Sequence, residues 1–134
     1  MKVGYPDKWT LLIFVLLSGL VIAQSANEPK AVVKPMSYDF GDIVQDSVFT
    51  TFYVITNEGG DLLEITKVNA SCGCTAVMSE KNELKPGESA NIKVSFNSKG
   101  RTGKQSKIIT VETNDPHNPA IKLALTGNVI KRIK

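Results

Sequence analysis

From Ala31 onward, apolar and polar side chains alternate with a period of two. Ile92, Val94 and Phe96 fall on one side of a run whose other side carries Lys93 and Ser95. Ile109, Val111 and Thr113 oppose Thr110 and Glu112. Near the end, Ile121, Leu123, Leu125 and Val129 oppose Lys122 and Thr126. Successive side chains of a strand point to opposite faces, so this pattern predicts antiparallel strands with one face in a core and one in water. The predicted strands are Val32–Lys34, Ser37–Phe40, Phe49–Asn57, Leu62–Asn69, Thr75–Met78, Ala90–Phe96, Gln105–Thr113 and Ala120–Ile130. Tyr53 and Ile55 belong to the same core by their alternate positions, rather than to a cofactor site.

The breaks between these runs have turn chemistry. Asn57-Glu-Gly-Gly-Asp61 supplies residues that tolerate positive φ. Lys85-Pro86-Gly87-Glu88 sets Pro ahead of Gly, as a type II turn requires, and Asn114-Asp-Pro-His-Asn-Pro119 suits neither a helix nor a central strand. No helical period survives for three turns. About seven strands with turns every 8–12 residues predict an all-β, two-sheet sandwich.

A different pattern precedes the strands. Thr10 to Ala23 is an apolar run of 14 residues, preceded by Lys2 and Lys8. A comfortable membrane span needs about 20 residues, so the run fits the apolar part of a signal peptide. Val21-Ile22-Ala23 offers a cleavage site before Gln24, Gly19 breaks the run, and an uncleaved anchor is the alternative. No cysteine follows directly, so a lipid-anchored signal is not expected. The expected organisation is a signal peptide over residues 1–23, a linker over 24–30 and one sandwich domain over 31–134. Cleavage leaves 134 − 23 = 111 residues, enough for a usable core. The expected location is periplasmic or secreted, with no membrane span after cleavage.

Charge adds an exclusion. The 16 Lys+Arg and 13 Asp+Glu give a net charge of +3, and the basic residues are scattered. A nucleic-acid binder concentrates them on one face among aromatics, so no nucleic-acid partner is expected. The cluster Lys131-Arg132 with Lys134 reads as a solvated tail.

The concentrated chemistry lies in Ser71-Cys72-Gly73-Cys74-Thr75, which holds the two cysteines of the chain. In a continuing strand, residues two apart share a face but stand too far apart to bond. Two thiols would then face the same side, an arrangement suited to Cu(I) or Zn(II). If the chain turns at Gly73, the sulfurs can meet in a small disulfide, structural or exchangeable. The residues leave both outcomes open. Against a metal, two thiolates are a thin ligand set, which Met78 and His117 extend by residue type only. Against redox work, there is no Cys-x-x-Cys on a helix N-terminus.

His117 reads as a solvated loop residue, and it stands in no nucleophile or acid–base motif. There is neither a phosphate loop nor a His-Glu-x-x-His zinc motif. Asn57 and Asn114 each end a strand and read as caps on backbone groups, an adhesive or catalytic role being the alternative. Asn69-Ala70-Ser71 matches a glycosylation sequon, a short and unspecific pattern.

A resemblance joins several of these segments. Asn57-Glu-Gly-Gly-Asp-Leu-Leu-Glu-Ile65, Ser71-Cys-Gly-Cys-Thr75, Leu84-Lys-Pro-Gly-Glu-Ser89 and Val94-Ser-Phe96 together resemble the bacterial family catalogued as DUF 1573, a domain of unknown function. The likeness covers about Thr56 to Asn97, with Phe40-Gly41 and Leu123-x-Leu125-x-Gly127 similar at the flanks. It implies an immunoglobulin-like sandwich on exported proteins, common in Bacteroidetes. The sandwich is also similar to those of ciliary and centrosomal scaffold proteins and of pilus-type chaperones. No activity is implied. The expected function is therefore non-enzymatic binding or spacing at the cell envelope, with sheet edges as contact surfaces and the last strand, Ala120–Ile130, as a candidate edge. The alternative is a copper-handling or thiol-redox accessory that uses Cys72 and Cys74.

Overall fold

The computed structural model describes residues 27–133, so the signal segment 1–23 and its cleavage site lie outside the described residues. Nine strands follow one another: β1 (Ala31–Lys34), β2 (Ser37–Val44), β3 (Val48–Asn57), β4 (Leu63–Ala70), β5 (Thr75–Ser79), β6 (Glu83–Leu84), β7 (Ser89–Asn97), β8 (Gly103–Thr113) and β9 (Ala120–Ile130). No helix occurs among the described residues. One sheet has four strands in the order β1-β3-β7-β5, and the other five in the order β2-β9-β8-β4-β6. The alternating faces close on each other as an immunoglobulin-like sandwich.

Alternation predicts the core well. Tyr53, Ile55, Ile92, Val94, Phe96, Ile109, Val111, Leu123 and Leu125 are all fully buried, and Ile121 and Val129 join them. Tyr53 also ties the sheets together, since its hydroxyl donates to the Ala124 carbonyl at 2.7 Å. Burial, reinforced by Tyr38, pushes its pKa up to about 12. Gly127 breaks the inward row of β9 for a steric reason. A Cβ there would collide with the Phe40 ring, which stacks on Phe96 at 5.4 Å between centroids. Lys107 continues the inward row of β8, with its ammonium 6.0 Å from the Phe96 centroid. Burial and the neighbouring Arg101 lower its pKa.

The turn at Lys85–Glu88 forms as its sequence requires: Gly87 has φ +84° and the Glu88 N–H reaches the Lys85 carbonyl at 2.9 Å. Two features go beyond the sequence reading. Nine strands form where eight runs are named from the sequence, the added one being Glu83–Leu84, which pairs with β4 over two residues, too short a run to show a period. The first stretch of chain also changes sheets at the cis Lys34–Pro35 bond. β1 pairs antiparallel with β3, whereas β2 pairs in parallel with β9.

That parallel pairing overturns one expectation. Ala120–Ile130 is not an edge: β9 lies between β2 and β8. Its residues have the composition of a half-buried strand, and such a strand looks the same inside a sheet as at its border. The borders are β1 and β5 in one sheet, and β2 and β6 in the other.

Candidate functional site: a disulfide corner and the open edge it leads into

Cys72 and Cys74 lie where the chain leaves β4 in the five-stranded sheet and enters β5 in the four-stranded one. The crossing is a tight turn. Its Cα atoms at positions 72 and 74 are 5.3 Å apart, against about 6.6 Å for two residues of extended strand. The contraction brings the sulfurs together as a disulfide. In that form neither sulfur is a thiolate, so coordination of copper or zinc by this pair would first need reduction.

The corner is anchored on both sides. The Ser71 N–H donates to the Ile108 carbonyl at 2.9 Å, and Ser71 Oγ accepts from the Ile108 N–H at 3.1 Å. The Asn97 N–H donates to the Cys74 carbonyl at 2.9 Å. Both cysteines are partly buried, and Cys74 packs against the core. Thr75, 7% exposed, holds its Oγ1 3.7 Å from each sulfur. The φ of Gly73 is not left-handed, and beyond the two flanking cysteines an added Cβ would meet nothing within 4 Å. A loop of three residues removes little chain entropy from the unfolded state, about 1.6 kcal/mol on the loop-closure relation.

β5 runs from this corner along the border of its sheet. The Cys74 carbonyl is bonded by Asn97, and the Glu80 N–H donates to the Asn91 carbonyl at 2.9 Å. Residues 74, 76, 78 and 80 therefore aim their backbone groups at β7. The N–H groups of Val77 and Ser79 and the carbonyls of Thr75 and Val77 aim away from the sheet. Bare edges of this kind are normally blunted by charge, proline, bulges or shortness. β1 has four residues and ends at Lys34–Pro35. β2 carries Asp39 and Asp42 around an irregularity at Gly41, and β6 has two residues. β5 reads Thr-Ala-Val-Met-Ser over five residues and has no charge, proline or bulge. Beside it, on the outer face, Met78 and Phe52 are exposed apolar side chains flanking Lys93.

The other predicted residues lie elsewhere. His117 is in the β8–β9 loop, at the opposite end of the sandwich, with Nε2 3.1 Å from Glu28 Oε2. Met78 points outward from β5 and is 68% exposed. Among the described residues, no three His, Cys, Asp or Glu side chains cluster as metal ligands. Asn57 and Asn114 are caps. Asn57 bonds the carbonyls of Asp61 and Leu84, and Asn114 bridges the Leu62 carbonyl and the Glu64 N–H. Sequence reasoning passed over Asp115, which is 1% exposed and accepts from the Ala31 and His117 N–H groups. Its signal, an Asp opening the Asp-Pro-His-Asn-Pro loop, suggested only a turn.

A family model for a protein of unknown function, DUF1573, matches residues 31–129 and so takes in the sandwich and the disulfide corner. The chain belongs to the DUF1573 family. No curated protein matches it. A Porphyromonas gingivalis W83 protein of unknown function is similar in structure, with a TM-score of 0.69 and 17% identity over 80% of this chain. This chain spans 50% of that protein's length. The ASH/PapD-like domain 7 of human CEP192 matches with a TM-score of 0.59 and 12% identity over 99% of both chains. A family 123 glycoside hydrolase from Clostridium perfringens gives 0.62 at 8% identity over 78% of this chain and 28% of its own. At these identities the likeness is one of fold.

Proposed function

We propose that this DUF1573 protein is an exported, non-enzymatic binding module of the cell envelope that takes an extended segment of a partner protein along β5. The observation that carries this reading is the undefended edge: uncharged, without proline or bulge, with backbone donors and acceptors directed outward. A partner strand would gain its affinity from main-chain hydrogen bonds and its selectivity from side chains laid beside Ala76 and Met78 on the outer face of β5. Export is supported by the apolar run over Thr10–Ala23.

Val77→Pro tests the edge. The Val77 N–H bonds nothing within the sheet, so proline there removes an outward donor while leaving the β5–β7 ladder intact. Extended peptides are screened against the mature protein by fluorescence anisotropy. Bound peptides should protect the Val77 and Ser79 amides from hydrogen exchange, and Val77→Pro should abolish binding while the protein still melts cooperatively, at a lower midpoint because the Val77 side chain packs against the core. Binding that leaves both amides exchanging freely and survives Val77→Pro would refute the reading. Export is checked on the same preparation. A first residue at or near Gln24 in a soluble envelope fraction is expected, and Met1 retained in membranes would contradict it.

A further inference from the structure

The Thr75 hydroxyl stands 3.7 Å from both sulfurs of a disulfide that closes a loop of only three residues. A disulfide sulfur is a weak acceptor, whereas a thiolate accepts a charge-assisted hydrogen bond. The same contact is therefore worth little while the bond is closed and much once it opens. Such a differential interaction favours the opened state and the route to it.

The surroundings agree with an opening site. Hydrogen bonds with Ile108 and Asn97 hold both ends of the corner through atoms other than the sulfurs. Gly73 has no left-handed φ, is exposed, and an added Cβ would meet nothing within 4 Å beyond the two cysteines themselves, so the outer side of the corner is open. Both cysteines are half-buried, but Cys74 packs against the core cluster and Cys72 does not belong to it, which makes Cys72 the outer of the two. We propose that Cys72–Cys74 is a thiol–disulfide exchange site for a partner dithiol, attacked at Cys72, with Thr75 as the positioning residue that receives the Cys74 thiolate.

The step balances without a further reagent. A partner thiolate attacks Cys72 Sγ, the S–S bond breaks, and its electron pair leaves on Cys74 Sγ beside the Thr75 hydroxyl. The partner's second thiol, deprotonated, attacks the partner sulfur of the mixed disulfide and releases Cys72 as a thiolate. The two protons shed by the partner's thiols end on Cys72 and Cys74. Two electrons and two protons have moved, the partner leaves as a disulfide, and the reverse sequence restores the starting state. This inference does not depend on strand binding at β5.

Dithiothreitol is the probe, used on the folded mature protein at neutral pH with alkylation of free thiols over time. A hydrogen bond to a charged group implies that Thr75→Val slows reduction about tenfold. Thr75→Ser, which keeps the hydroxyl, should restore the parent rate. Glutathione disulfide should cap the single thiol of Cys74→Ser faster than that of Cys72→Ser, because the former retains the outer sulfur. That second comparison stands even if Thr75→Val fails to fold. Equal reduction rates for Thr75→Val, Thr75→Ser and the parent would overturn the proposal. So would reduction that occurs only under denaturing conditions, or capping that is no faster at Cys72 than at Cys74.

Discussion

Asn57→Ala should be among the most damaging single substitutions in this domain, although it removes no apolar group. The Asn57 side chain is fully buried at the end of β3. Its Nδ2 donates to the carbonyls of Asp61 at 2.7 Å and Leu84 at 2.9 Å, and its Oδ1 accepts from the Gly59 N–H at 2.9 Å. A longer contact of 3.3 Å reaches the Lys30 N–H. One amide thus holds the β3–β4 turn, the short strand β6 and the start of β1 together. Each short bond is worth about 1 kcal/mol net, and buried partners left unmade cost more, so the loss is about 3 kcal/mol. Domains of this kind have roughly 5–15 kcal/mol in total. The melting midpoint should fall by about 12–24 °C at the usual 4–8 °C per kcal/mol. Asn57→Asp should be at least as harmful, because it turns an oxygen toward two carbonyls that need a donor. Urea unfolding gives the difference as a shift of midpoint at constant slope. A loss below 1 kcal/mol, or an Asp variant as stable as the parent, would show that water replaces the amide and that the cap holds nothing.

Two further predictions concern stability. Leu123→Ala should cost about 2–5 kcal/mol, since a fully buried leucine on a central strand leaves a cavity when truncated; urea unfolding that shows less than half a kcal/mol would place Leu123 on the wrong face. Asp115 governs acid sensitivity. Burial alone would raise its pKa, but the N–H groups of Ala31, His117 and Asn118, together with His117, outweigh burial and lower it. A carboxylate depressed on folding stabilises above its unfolded pKa of about 3.9, and that contribution is lost as pH falls through the lower folded value. Asp115→Asn should therefore lower stability at neutral pH and flatten its decline in acid, measured by thermal melts from neutral pH downward. An unchanged acid limb would assign that decline to other groups.

What the sequence determined by itself is the state of each residue relative to a surface. Side-chain direction in a strand depends only on position along it, so Ile92, Val94, Phe96, Ile109, Val111, Leu123 and Leu125 could be assigned to a core before any partner strand was known. Turn residues act equally locally, which is why Pro86-Gly87 and the caps Asn57 and Asn114 were legible. The disulfide corner was visible as a motif, but whether the sulfurs meet depends on a turn that the change from one sheet to the other imposes. The borders of the sheets were not legible at all. β9 and β5 have similar local patterns, yet β9 is covered on both sides because β2 crosses at Lys34–Pro35 to lie beside it, and β5 is left open. Which strand neighbours which is a choice among segments distant in the chain. It is settled by how two sheets bury one core together, and so the open edge appears only in the folded molecule.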